Sequence, residues 1–141
     1  MITVSSRLRF YQVLWAISAI IGICADTLPA SDFVGHPHWR KVVWVPFTGA
    51  PFSLLDIIEN VLLLVPFGFF GMLSGYAGRS KVRLVIAGML LGAAGEFYQV
   101  FCHNRYPSIT DLLCNTAGAY IGAALGTVGT PWRRQRSLRP G

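Results

Sequence analysis

Charged residues are scarce. They occupy 13% of 141 positions, about half the roughly 25% of an average soluble domain. Only six residues are acidic. An apolar chain with so few charges is neither a disordered tail nor an ordinary soluble enzyme. Cysteine is also short. Cys24, Cys102 and Cys114 are an odd set at unpatterned spacing, which gives neither a disulfide framework nor a zinc site. Walker A, G-x-G-x-x-G and C-x-x-C motifs are missing. The net charge of +6 raises the question of nucleic acid. The basic residues, however, stand between apolar segments and at the chain ends, with no basic face interleaved with aromatics, so no nucleic acid partner is expected. His36 and His38 flank Pro37 without a third ligand nearby, and no metal and no cofactor are expected.

What the chain has is apolar length. Hydrophobic residues make up 53%. Four apolar stretches, 8–25, 54–73, 82–101 and 109–128, each approach the roughly 20 residues of a membrane crossing. The expected fold class is all-α, an integral membrane bundle of four transmembrane helices in a single domain over 1–130. Residues 131–141 read as a basic cytoplasmic tail near anionic lipid. The first stretch has a rival reading as a cleaved signal peptide, because Arg7 and Arg9 precede a short apolar core and Ala25 stands before Asp26. Trp44 and Pro46-Phe47-Thr48-Gly49 read as a loop or short re-entrant segment.

Basic residues orient the spans. With four spans, Arg7, Arg9, Arg79, Lys81, Arg83, Arg133, Arg134, Arg136 and Arg139 share one side. Arg40, Lys41 and Arg105 lie on the other. Nine of twelve basic residues on one side predict cytoplasmic termini. All six acids then fall in the outer half of the protein.

Four of those acids are costly where they stand. A carboxylate at the bilayer centre costs about 2.5–3.5 kcal/mol on insertion scales. Helical spacing places Asp56, Glu59 and Asn60 on one face, and Glu96 with Gln99 on another. Asp111, Asn115, Gly118, Gly122 and Gly126 form a third stripe whose small residues permit close helix approach. Ser108-x-x-Asp111 also fits a capping motif after Pro107, which alone accounts for Asp111. Glu96 lies inside an outgoing helix and has no expected capping role, and Arg105 is its nearest basic residue. Glu96, Arg105 and Asp111, with Asn60, Gln99 and Asn115 as orienting groups, are the candidate polar site. An ion pair to Arg105 is expected within it.

Three segments then carry a family pattern. Asn60-x5-Pro66-Phe67-Gly68 resembles the N-x5-P-x-G signature of VanZ-like membrane proteins. Glu96-x-x-Gln99-x-Phe101, followed by Arg105, is similar to their E-x-x-Q-x-F…R segment. Asp111-x3-Asn115-x2-Gly118 is similar to their D-x3-N-x2-G helix. The resemblance covers roughly 56–126 and implies a compact bundle of membrane helices. The family takes its name from a member linked to reduced teicoplanin susceptibility, a role not carried over here. Expected partners are membrane lipids, together with a lipid-linked or surface glycan at the outer leaflet. The competing reading is a non-enzymatic accessory subunit that docks its glycine faces on a larger membrane complex, and a third is a small transporter. The expected location is the bacterial cytoplasmic membrane.

Overall fold

The computed structural model describes residues 4–28, 32–48, 53–75 and 80–128. Four helices make up the fold: α1 (Val4–Thr27), α2 (Leu54–Ser74), α3 (Lys81–Gln99) and α4 (Ile109–Val128). A 3-10 turn, Trp39–Lys41, lies in the α1–α2 connection. There is no strand among the described residues, so the fold is all-α. The third helix ends two residues before the expected boundary, because the chain turns at Val100 and Phe101 to pair with the α1–α2 loop. The expected basic tail, Arg79 and Gly49 lie outside the described residues.

Serine starts three of the four helices. Ser53 Oγ accepts from the Leu55 N–H at 3.1 Å, Ser80 Oγ from Arg83 at 3.4 Å and Ser108 Oγ from Thr110 at 3.0 Å. Each satisfies an amide that the helix itself leaves open. Gly75 ends α2 in the left-handed region, at φ 70°, where a side chain would be strained. Pro66 is accommodated within α2.

Contacts fix the directions of the helices. Gly118 meets Val61 and Gly122 meets Val65, so α4 and α2 run parallel. Gly88 meets Ala119 and Gly92 meets Asn115, so α3 runs against α4. Trp15 lies against Gly71 while Gly22 lies against Leu64, so α1 runs against α2. Thus α1 and α3 point one way, and α2 and α4 the other.

The seam between α2 and α4 is backbone against backbone. A Cβ added to Gly118 would collide with the Val61 carbonyl oxygen, and one added to Gly122 with that of Val65. On the α2 side, Gly68 sits as tightly against the Ala119 carbonyl. These glycine faces are spent inside the chain, so they are not free as docking surfaces for another protein. Beside the seam, Leu64, Phe67 and Ala119 form one buried cluster, with Trp15 packed on it. Met72, Leu84 and Ala123 form a second.

The outward faces are apolar on every helix. Phe10, Val13, Ile17 and Ile20 of α1 are exposed, as are Leu62 of α2, Val82 and Leu90 of α3, and Ile121 and Leu125 of α4. By length and composition, α1 and α2 are apolar enough to cross a membrane, with mean hydropathies of 1.6 and 1.8 over their apolar windows. Shorter and richer in glycine and polar residues, α3 and α4 do not meet that measure.

Candidate functional site

The C-terminal ends of α1 and α3 meet the N-terminal ends of α2 and α4 at one pole of the bundle. Arg7, Arg9, Lys81 and Arg83 stand at the opposite pole, at the starts of α1 and α3. Over the first pole lies the α1–α2 loop, tied to the α3–α4 turn. Val34 N–H donates to the Phe101 carbonyl at 2.9 Å and His38 N–H to that of Val100 at 2.7 Å. Val43 N–H donates to the Pro107 carbonyl at 2.8 Å and receives, through its own carbonyl, the Ile109 N–H at 3.1 Å. Phe47 N–H donates to Thr110 Oγ1 at 2.8 Å. Phe33 stacks on Tyr98, with ring centroids 5.5 Å apart.

The rings of His36, His38 and His103 pack edge to face in this lid, with centroids 4.7 and 5.4 Å apart. Partial burial, with Lys41 and the other two imidazoles nearby, lowers the His38 pKa below the ordinary imidazole range. Among the described residues, no three His, Cys, Asp or Glu side chains are grouped to hold a metal ion.

Beneath the lid is a cavity of about 400 Å³, within the roughly 300–1,000 Å³ of small-molecule sites. Five of the candidate residues line it: Asn60, Glu96, Gln99, Arg105 and Asp111. Asp56, Glu59 and Asn60 all reach it from their shared face of α2. Asn115 stands apart. It lies one turn deeper on α4, packed against Gly92, fully buried, with neither amide atom hydrogen-bonded among the described residues.

Two local expectations need correction. Glu96 does have a capping role: its Oε2 accepts the Ser108 N–H at 2.7 Å. Ser108 caps α4 through its hydroxyl, but the reciprocal bond of the capping motif comes from Glu96 on α3 rather than from Asp111. The outgoing helix thereby clamps the start of the incoming one. Arg105, in turn, forms no ion pair with Glu96 or Asp111 among the described residues. Its Nη2 donates to the Leu28 carbonyl at 2.6 Å, so the guanidinium anchors the end of α1 at the cavity wall.

Asp26 is the site residue that sequence reasoning missed. It looks like the polar boundary of the first span, and its four-residue spacing from Gly22 and Ser18 is the signal that marks an inward stripe. Those three residues are the buried positions of α1. Asp26 is only 8% exposed, and it occupies the space that a Cβ on Gly95 would need. Five of the six acids therefore surround one cavity. The sixth, Asp32, accepts from Asn104 Nδ2 at 3.2 Å in the lid.

Four helices with apolar outer faces, two of them apolar and long enough to cross a bilayer, and a polar cavity at one pole are the marks of a membrane protein. The model of the VanZ/LLP1 family matches residues 9–129, and the chain belongs to that family. No curated protein and no solved structure matches it.

Proposed function

We propose that the protein crosses the bacterial cytoplasmic membrane four times, with both termini in the cytoplasm. Its cavity engages the polar part of a lipid-linked or surface glycan at the outer leaflet. The observation that carries this reading is the cavity itself, walled by side chains from the facing ends of all four helices. Carboxylates accept hydrogen bonds from sugar hydroxyls, and Arg105 is suited to a phosphate or carboxylate. Apolar outer faces on all four helices favour lipid over water around the bundle. The basic residues at the opposite pole favour placing that pole in the cytoplasm.

The accessory-subunit reading loses its main support, because the glycine faces it needs already pack within the chain. A purification in mild detergent, followed by lipid mass spectrometry, separates the two. We expect a glycan-bearing lipid to co-purify with the wild type and to be lost from Arg105→Ala. A stoichiometric membrane-protein partner, with no such lipid, would establish the accessory role instead.

A further inference from the structure

The chemistry of the cavity restricts what it accepts. Asp26, Asp56, Glu59, Glu96 and Asp111 face it, against a single cation among the described residues, Arg105. Carboxyl oxygens chiefly accept hydrogen bonds, and one donor of Arg105 is already spent on the Leu28 carbonyl. An occupant that brings further acceptors and negative charge, such as a pyrophosphate, meets repulsion and few donors.

Two observations separate this cavity from a surface patch of acids. Asp26 is 8% exposed and lines the cavity, and no hydrogen bond among the described residues reaches its carboxylate. Gln99 is also 8% exposed and lines the cavity, and its side-chain amide has no hydrogen-bond partner among the described residues. Polar groups buried to this degree normally have partners. Here the open side of both is the cavity, so an occupant completes them. Gln99 offers a donor and an acceptor at one place, which a hydroxyl matches. Asp26, whose charge Arg105 offsets only in part, calls for a donor, best a charged one.

We infer that the cavity recognises a primary ammonium group flanked by hydroxyls, as in an unacetylated amino sugar. This rests on the glycan reading above and specifies the class of sugar. The amine sits against Asp26 and Asp111, the hydroxyls reach Gln99, and Arg105 at the wall tolerates one attached phosphate.

The test uses the full-length protein in nanodiscs of phosphatidylglycerol, with calorimetric or saturation-transfer titration. The probes are glucosamine, N-acetylglucosamine and inorganic pyrophosphate. Parallel discs contain phosphatidylethanolamine, which presents an ammonium group without a sugar. Glucosamine is expected to bind at least about tenfold more tightly than N-acetylglucosamine, the scale of one charged hydrogen bond. Pyrophosphate should not compete. The preference should shrink in Asp26→Asn and, independently of the buried position, in Asp111→Asn in the first turn of α4.

Equal binding of both sugars overturns the ammonium inference and leaves the glycan reading standing. Binding of neither sugar, with Asp26-dependent occupancy by phosphatidylethanolamine, overturns the amino-sugar inference together with the glycan reading and leaves a lipid ammonium as the occupant. Competition by pyrophosphate, or no binding by any probe, overturns the inference outright.

Discussion

Glu96 holds the start of a helix that is not its own. Its Oε2 accepts the Ser108 N–H, an amide that the first turn of α4 leaves unpaired. Glutamine keeps a carbonyl oxygen at the same place, so Glu96→Gln should retain the fold. Glu96→Ala should leave the amide unpaired and cost about 1–3 kcal/mol. Thermal or denaturant unfolding of the two variants in detergent checks this, and equal losses in both would show that the carboxylate charge, not the hydrogen bond, stabilises the site. The chemistry of such residues was partly legible. Carboxylates and amides in apolar helices point inward because lipid does not solvate them, and five of the six candidates reach the cavity. The exact partners were not legible, because a hydrogen bond between helices depends on rotation and depth that periodicity leaves open. Asn115 shows the limit. It shares the stripe of Asp111, but one helical turn carries it below the cavity into contact with Gly92.

At the scale of the element, the glycine stripe of α4 decides how close its neighbour comes. Small residues at four-residue spacing mark a helix contact in the sequence. Nothing in that spacing names the partner helix, and the structure assigns the contact to α2 through Val61, Val65 and Phe69. A leucine at Gly122 must displace the backbone of Val65 rather than a pliable side chain. Overpacking costs typically about 1–3 kcal/mol, more when the backbone has to move. Gly122→Leu should therefore lower the melting temperature in detergent, whereas Tyr120→Leu, on the exposed face of α4, should change it little. If both variants melted alike, the seam would not be the stabilising contact. The lid was the least legible element. It joins residues 65 and 69 positions apart through isolated backbone pairs, Val43 with Ser108 and Phe33 with Cys102, which leave no periodic trace.

For the molecule as a whole, the placement of charge and apolar surface makes one combined statement about orientation. Arg7, Arg9, Lys81 and Arg83 mark one pole, and five carboxylates line a cavity at the other. Because α1 and α3 run opposite to α2 and α4, four crossings would return the end of α4 to the pole where α1 begins. The hydropathy of α3 and α4 is diluted by glycines and by Glu96, Gln99, Asp111 and Asn115. Those residues serve the interior and the cavity, while the outward positions stay apolar. A composition average cannot separate the two faces, and for that reason only α1 and α2 stand out by hydropathy. The four-crossing arrangement predicts that a fluorescent protein fused after the C-terminus is bright in the cytoplasm and that alkaline phosphatase at the same point is inactive. Phosphatase inserted in the lid, between Trp44 and Phe47, should be active on the other side. An active phosphatase at the C-terminus would mean an odd number of crossings or an inverted bundle, and in either case the cavity could no longer be placed at the outer leaflet by the positions of the basic residues.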